Sequence, residues 1–219
     1  MKSEELFMGR QSRPRRKKKN ERLSVPLKLK DRLYPAVLKL FSRKDAYQVS
    51  MNSISKNSGV SLGTIYKYFA SKEDLLFTII EENLEELGRL IRIHLQGLES
   101  AKEILRKLLW VTMDFYDKNP NVAITAFITL PLRTWMQQDE FRDRKIKAIF
   151  LDIINKGIRN GELDTQIDIR RIQDIYYMIC YRMIHTWYYF GMRWKLVDAL
   201  KKDFDLFWKL FEPRQKIKN

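Results

Sequence analysis

The sequence predicts an all-α protein, and three observations support this fold class. Apolar residues recur at spacings of three and four along most of the 219 residues, which is the period of a helix that buries one face. Residues suited to helix capping precede several of these segments. No paired strand patterns, internal repeats or long loops are visible. We therefore predict about nine helices, arranged as an N-terminal three-helix head and a C-terminal helical bundle.

The first predicted helix ends near Lys44 and carries an apolar stripe from Leu33 to Phe41. Pro35 lies within this stripe. Because proline lacks an amide hydrogen, it is tolerated in the first turn of a helix but costs about 3 kcal/mol in the interior. The helix is therefore predicted either to begin near Arg32 or to bend at Pro35.

Two short helices joined by a tight turn follow. Ser50 can cap a helix over Met51–Ser58, and Ser61 can cap another over Leu62–Tyr68. Between them, Gly59 provides the left-handed conformation that a sharp turn requires. This is a helix-turn-helix arrangement, which lays its second helix in the major groove of DNA.

The remaining six helices are longer, and capping residues or prolines mark several of their starts. The predicted ranges are Lys72 to about Leu95, Ala101–Lys118, Pro120 to about Gln137 with a kink near Pro131, Glu140–Arg159, Ile169 to about Phe190, and Val197–Phe211. The helix that begins at Ile169 is apolar almost all round. We expect its own bundle to cover one side and something else to cover the other.

The positive charge of the chain is concentrated in its first third. Residues 1–72 carry 18 Lys and Arg against 5 Asp and Glu, a net charge of +13, whereas residues 73–219 carry 24 against 22, a net charge of +2. A charge that served only solubility would not need this asymmetry. It is typical of a surface that binds phosphates.

Residues 1–25 are predicted to form a disordered basic arm. They are polar and contain a run of like charges that includes Arg13, Arg15 and Arg16. Such an arm can follow DNA phosphates or enter a minor groove. It can also be a solvated tail or a nuclear-import-like patch. We favour DNA contact because the arm adjoins the helix-turn-helix.

Several classes of protein are disfavoured by the sequence. The single cysteine, Cys180, excludes an internal disulfide framework and is typical of a reducing cytosol, so we expect a cytoplasmic protein. No signal peptide is visible, and the apolar run 126–132 is far shorter than the roughly 20 residues that cross a bilayer. We find no phosphate-binding loop, metal-ligand spacing or nucleophile motif, and we predict no cofactor, no metal and no enzymatic activity.

Several short motifs lie between Leu33 and Leu76, about a fifth of the chain. They are Gly59-Val60-Ser61, Gly63-Thr64, Ile65-Tyr66, Tyr68-Phe69 and Ser71-Lys72-Glu73-Asp74-Leu75-Leu76. Together they resemble the DNA-binding signature of the TetR/AcrR-type (tetracycline-repressor-like) family of transcriptional regulators. The sequence departs from the usual family pattern at Pro35, Asp45, Ala46 and Ser58.

The resemblance implies which residues bind double-stranded DNA. Base contacts are implied for Leu62, Gly63, Thr64 and Lys67. Contacts that hold phosphates or position the reading helix are implied for Ser50, Asn52, Tyr66, Tyr68 and Lys72, and Ser61 belongs to the same DNA-binding set. Leu62 cannot donate a hydrogen bond, so readout at this position is either weak or relies on a thymine methyl group.

The resemblance also implies a homodimer and a small-molecule effector bound inside the bundle. The dimer-interface candidates are Tyr188, Phe204, Phe207 and Trp208. The candidates for lining the effector pocket are Trp110, Met113, Phe115, Phe127, Trp135, Phe150, Tyr177 and Tyr181, although each can equally be ordinary core. A pocket of aromatic residues and methionine would suit a bulky apolar or amphipathic compound.

We interpret the chain as a ligand-responsive transcriptional regulator, a repressor that binds a palindromic operator as a dimer and is released by its effector. The predicted boundaries are 1–25 for the arm, 26–72 for the DNA-binding domain and 73–219 for the ligand-binding and dimerisation domain. One alternative is a DNA-binding nucleoid or structural protein without an effector. Another is an adaptor whose second domain binds a protein. A solid second domain without a cavity would favour either alternative.

Overall fold

The structure, a computed structural model, describes residues 24–130, 144–163 and 168–211. Within these ranges all regular secondary structure is helical, which confirms the predicted all-α class. The helices are α1 Leu27–Phe41, α2 Met51–Ser58, α3 Leu62–Tyr68, α4 Lys72–His94, α5 Ala101–Lys118, α6 Pro120–Ile124, α7 Arg144–Arg159, α8 Ile169–Tyr189 and α9 Leu196–Trp208. A 3-10 helix over Ala46–Gln48 precedes α2, and a π-helical turn over Thr125–Thr129 continues α6.

Helices α1, α2 and α3 form the predicted head. α2 packs against both α1 and α3, because each helix turns its apolar stripe toward one shared core. Gly59 ends α2 with φ of 64°, the left-handed conformation that the sequence predicts at this position. The core side chains of the head are almost completely buried, namely Leu33, Val37, Phe41, Ile54, Val60, Ile65 and Phe69.

The start and end of α1 differ from the prediction. α1 begins at Leu27 and ends at Phe41, so Pro35 lies in its interior and the predicted start near Arg32 is wrong. Pro35 faces solvent, where water can satisfy the Asp31 carbonyl that loses its helical partner. Beyond Phe41 the chain turns, and the helix does not reach Lys44.

The helix that begins at Pro120 is also shorter than predicted. It passes into the π-helical turn at Thr125, and Leu130 has an extended conformation with φ of −80° and ψ of 121°. The proline at position 131 accounts for this ending, because a residue before proline is disfavoured in the helical region. The helix predicted to reach Gln137 therefore ends at Thr129. The predicted kink at Pro131 lies outside the described residues.

Helix α5 lies at the centre of the bundle. α4, α6, α7, α8 and α9 all contact it, and α9 packs chiefly against it. Ten of its 18 residues are buried, which is the burial expected of a helix with neighbours on several sides. α4 contacts both α1 and α5, so one continuous helix joins the head to the bundle.

Gly157 of α7 is predicted to be a sensitive packing position. A Cβ atom added there would overlap the Leu163 side chain and lie 2.8 Å from the Ala101 Cβ. We therefore expect Gly157→Ala to lower the free energy of unfolding by about 1–3 kcal/mol through overpacking. Urea denaturation of the two proteins measures this difference.

Gly88 of α4 provides the matched control for this substitution. The nearest atom to its Cβ position is Arg92 Nη1 at 3.5 Å, an ordinary contact distance. Gly88→Ala should therefore raise the free energy of unfolding by about 0.5–1 kcal/mol through the helix propensity of alanine. Equal effects of the two substitutions would contradict the packing at Gly157.

Candidate nucleic-acid interface

Helix α3 is anchored by one buried side chain and exposes most of the others. Ile65 is fully buried in the head core, whereas the Tyr66 side chain is 54% exposed. Gly63, Thr64 and Lys67 are also exposed, and Leu62 is half-buried. Four of the residues predicted to face DNA thus share one exposed surface with the half-buried Leu62. We call this set of five residues, Leu62, Gly63, Thr64, Tyr66 and Lys67, the reading face.

The capping serines of both helices lie at the edge of this surface. The Ser50 hydroxyl accepts a hydrogen bond from the Ser53 backbone N–H at 3.1 Å, and the Ser61 hydroxyl accepts one from the Thr64 N–H at 3.2 Å. Both serines are exposed. Both serines cap the N-termini of their helices, α2 and α3, and both side chains remain accessible to solvent.

Gly63 gives the reading face its flat centre. Apart from its chain neighbours and the backbone of α3 itself, no atom lies within 4 Å of the position that a Cβ would occupy. The backbone of α3 can therefore approach a duplex closely at this residue. Asn52 is exposed near the start of α2, and Tyr68 is half-buried beside Phe69 with ring centroids 6.5 Å apart.

Lys72, which is predicted to contact a phosphate, makes hydrogen bonds within the protein. Its ammonium group donates hydrogen bonds to the Ala46 carbonyl at 2.8 Å and the Val49 carbonyl at 2.7 Å. The side chain is only 22% exposed, and the Glu73 carboxylate lies 3.8 Å away. Lys72 therefore fastens the start of α4 to the segment before α2.

Replacing Lys72 should lower stability even without DNA. Lys72→Met removes two charge-assisted hydrogen bonds, and we expect a loss of about 1–2 kcal/mol in the free energy of unfolding because the group is partly solvated. The exposed Lys67 is the control, since Lys67→Met should change stability by less than about 0.5 kcal/mol. Urea denaturation of the free proteins decides between the roles. If Lys72→Met unfolds with the same free energy as the wild type, the structural role is rejected and the predicted DNA contact is favoured for Lys72.

A further basic residue of the head has a partner that the sequence analysis did not find. Arg32 Nη2 donates a hydrogen bond of 2.7 Å to the Gly59 carbonyl, and it lies 3.0 Å from the Gly59 Cβ position. The contact joins α1 to the turn of the helix-turn-helix. Arg13, Arg15 and Arg16 of the predicted arm lie outside the described residues.

Helix α1 is tied to the bundle near both of its ends. Near its start, Lys30 Nζ contacts both carboxylate oxygens of Glu82 at 2.7–2.8 Å, and the Tyr34 hydroxyl donates to the same carboxylate at 3.0 Å. Burial, and next the Glu82 charge, raise the pKa of Tyr34 well above its ordinary value. The Tyr34 hydroxyl therefore remains protonated and able to donate at neutral pH.

The other end of α1 contacts α6 and the π-helical turn. Thr129 Oγ1 donates to the Phe41 carbonyl at 2.8 Å, and the Ser42 hydroxyl donates to Asn121 Oδ1 at 2.9 Å. Since α1 also packs against α2, these contacts link α4, α6 and the π-helical turn to the head that carries the reading face. The contacts at the two ends of α1 join residues that are 48 to 88 positions apart in sequence, so no local motif predicts these contacts.

The predicted pocket residues fall into two groups. Met113, Phe115 and Phe150 are buried, and Phe127 is partly buried. Tyr116 packs edge-on against Phe127 with ring centroids 5.4 Å apart. Trp110, Tyr177 and Tyr181 are instead 38%, 42% and 53% exposed, and Trp135 lies outside the described residues.

The exposed group has neighbours of its own. Tyr181 stacks on His185 with a centroid distance of 3.9 Å, and His185 Nε2 is 2.9 Å from the Phe127 carbonyl. Trp110 lines an open groove of about 650 Å³ together with Trp187, Met192 and Trp194. A second groove of about 510 Å³ lies between the head and the π-helical turn and includes Phe41, Phe77 and Leu130.

The interior of the bundle also contains polar groups. The hydroxyls of Thr112 and Tyr176 are 2.8 Å apart and buried. Burial raises the pKa of the Cys180 thiol to about 12, so the reactive thiolate does not form at neutral pH. No helix in the described parts of the chain has the length and apolar character needed to span a membrane.

The predicted dimer-interface residues are placed differently from expectation. Phe204, Phe207 and Trp208 are 3%, 6% and 3% exposed within the single chain, because α9 turns them toward α5. Tyr188 is 39% exposed. On α8, four more large apolar side chains face solvent, those of Tyr177, Met178, Tyr181 and Tyr189. Leu206 of α9 and Leu210 in the turn after it are exposed as well.

Comparison with known proteins finds a family match for the head. Residues 35–79 match the family of bacterial regulatory proteins, tetR family, a range that contains α2, α3 and the start of α4. The chain is also 24% identical over 166 residues to the fatty acid metabolism regulator protein of Bacillus subtilis strain 168. This alignment covers 74% of this chain and 84% of that protein.

Two solved structures share the architecture. The transcriptional regulator FadR from Bacillus subtilis, in complex with stearoyl-CoA, superposes with a TM-score of 0.73 at 22% identity, over 81% of this chain and 96% of that one. The ketosteroid transcriptional regulator KstR2 of Mycobacterium tuberculosis gives 0.69 at 15% identity, over 87% and 98%. The match over residues 35–79 identifies the helix-turn-helix head as similar to the DNA-binding domain of the tetR family, and together with the shared helical architecture it supports a TetR-family transcriptional regulator.

Proposed function

We propose that this chain is a cytoplasmic repressor that binds a palindromic operator as a homodimer and is released by an amphipathic effector. The observation that carries the proposal is α3, a short helix anchored by Ile65 with its other face open to solvent. The net charge of +13 over residues 1–72 supports DNA as the partner, because a basic face releases counterions when it binds phosphates.

The exposed apolar side chains of α8 support the homodimer. Met178 is 67% exposed, and Tyr181 and Tyr188 follow it along the helix. Spacings of three and seven residues place these side chains on one face. Large apolar side chains exposed together on one helix face mark interaction surfaces. A second copy that covers it by two-fold symmetry would give two reading faces, as a palindromic operator with half-sites about 34 Å apart requires.

The contacts at both ends of α1 support effector control. An effector that shifts the balance between two arrangements of α4 and α6 would change the distance between the two heads. Thr125 and Thr186, near the contact of the π-helical turn with α8, have buried hydroxyls without a hydrogen-bond partner. Such groups favour a ligand with polar atoms as well as an apolar body.

The relatives suggest the chemical class of the effector. A structural neighbour was solved in complex with stearoyl-CoA, and a sequence relative is a fatty acid metabolism regulator. We therefore propose a long-chain acyl compound, which combines the apolar body and the polar head that the buried aromatic and hydroxyl groups suit.

The test begins with selection of binding sites from random and genomic duplexes by the purified chain. We expect one palindromic site, bound at least about a thousandfold more tightly than random DNA at physiological salt. Fluorescence anisotropy of that complex, titrated with stearoyl-CoA, should show release of the DNA. Stearic acid and free coenzyme A serve as separate controls for the two parts of the molecule.

The same experiment distinguishes the alternative function. A nucleoid or structural protein would bind all duplexes with similar affinity and a steep salt dependence, and stearoyl-CoA would leave the complex unchanged. A specific site combined with no response to any acyl compound would retain the regulator and reject the acyl effector.

A further inference from the structure

The reading face contains few groups for hydrogen bonding to bases. Within it, Tyr66 and Lys67 bear exposed side chains with polar tips, and Lys67 Nζ lies 5.7 Å from the centroid of the Tyr68 ring. α3 contains no Arg, Asn or Gln, so Lys67 is its one residue of the types that make paired hydrogen bonds to guanine or adenine. Leu62 and Thr64 must therefore contribute to sequence selection through another kind of contact.

The hydroxyl of Thr64 is already engaged within the protein. Thr64 Oγ1 lies 2.8 Å from Ser61 Oγ, and the same serine oxygen accepts the hydrogen bond from the Thr64 N–H. With one hydrogen bond of the hydroxyl directed to this cap, the Cγ2 methyl group is the apolar part of the exposed Thr64 side chain that can meet a base. Leu62 offers only methyl and methylene groups.

Gly63 separates these two residues without adding bulk. Because the space around its Cβ position is empty to 4 Å, no side chain holds the backbone away from the bases. The reading face therefore presents one apolar group on each side of the Gly63 backbone, the Leu62 side chain and the Thr64 methyl group.

We propose that Leu62 and Thr64 select thymine through its 5-methyl group, so that each operator half-site carries thymines opposite these two residues. The proposal rests on the proposed DNA binding by α3. Thymine alone among the four bases of DNA carries a methyl group on its major-groove edge, and apolar side chains contact it there. Lys67 supplies a cation for guanine or phosphate and is not part of this selection.

The test replaces single thymines of the selected operator by deoxyuracil, which removes the methyl group and keeps the base pairing. We expect the wild-type dimer to lose affinity about fourfold for each contacted thymine, the effect of one buried methyl-sized group. Thr64→Ser deletes only the methyl group and keeps the hydroxyl cap. Because the homodimer carries two copies of Thr64, the variant should weaken binding to the thymine duplex by roughly sixteenfold, the square of the single-thymine factor, and should remove the response to uracil at one position of each half-site.

Leu62→Ala should remove the response to uracil at a second position. Lys67→Ala is the control, because it should weaken binding to the thymine and uracil duplexes equally. If uracil lowers the affinity of the wild type at no position, or lowers the affinity of both variants at the same positions as in the wild type, methyl readout is overturned while the repressor function stands. Failure of the wild type to prefer any site over random DNA would refute the repressor function itself.

Discussion

Gly63→Glu should reduce operator affinity at least about a hundredfold without unfolding the head. The empty space around the Gly63 Cβ position accommodates the new side chain, so the packing of α3 is unchanged. The glutamate then places a negative charge at the centre of the surface that faces the phosphates. Juxtaposed like charges cost several kcal/mol, and a hundredfold change in affinity corresponds to about 2.7 kcal/mol.

Gly63→Ala is the matched control for this charge. It adds only a methyl group, should stabilise α3 by about 0.5–1 kcal/mol, and should retain operator affinity within about tenfold. Anisotropy titrations give the affinities, and thermal unfolding followed by circular dichroism checks the fold. If Gly63→Glu bound the operator as tightly as Gly63→Ala, α3 could not be the helix that enters the groove.

The parts of the head that sequence analysis predicts well are those set by neighbouring residues. Ser50, Ser61 and Gly59 act within one helical turn, so their patterns alone locate α2 and α3. The ending at Leu130 also has a local cause in the following proline, and stricter use of that rule would have found it.

The contacts that the sequence does not predict join distant residues. Lys72 reaches carbonyls 23 and 26 positions away, and Arg32 reaches Gly59 at 27 positions. A lysine at the edge of a basic head resembles a phosphate ligand in sequence. Only the fold reveals that its ammonium group donates to two carbonyls of the same chain.

The dimer-interface prediction illustrates a second limit. A helical apolar stripe shows that a face is covered, but it does not show which neighbour covers it. Phe204, Phe207 and Trp208 are covered by α5 of the same chain. For α8 the sequence pattern is more informative, because that helix is apolar almost all round and one bundle cannot cover every side. Its exposed side chains remain for a partner.

Met178→Glu should therefore separate the proposed dimer into monomers. At 67% exposure, Met178 contributes little to the fold of its own chain, so the variant should unfold at nearly the wild-type temperature. In a two-fold interface the substitution introduces two carboxylates at once, each of which loses water on association. We expect the dimer dissociation constant to rise at least about a hundredfold, as measured by sedimentation equilibrium.

Operator affinity should fall with the dimer, because one head contacts only half of a palindromic site. Ile93→Glu on α4 is the control, since Ile93 is 48% exposed and lies on a different helix, so this variant should remain dimeric and bind the operator. If Met178→Glu also remained dimeric, the exposed face of α8 would not be the contact between the two copies, and Leu206 of α9 with Leu210 in the turn after it would become the next surface to test. If it became monomeric yet bound the full operator with wild-type affinity, a single head would suffice for recognition and the palindromic site would have no role.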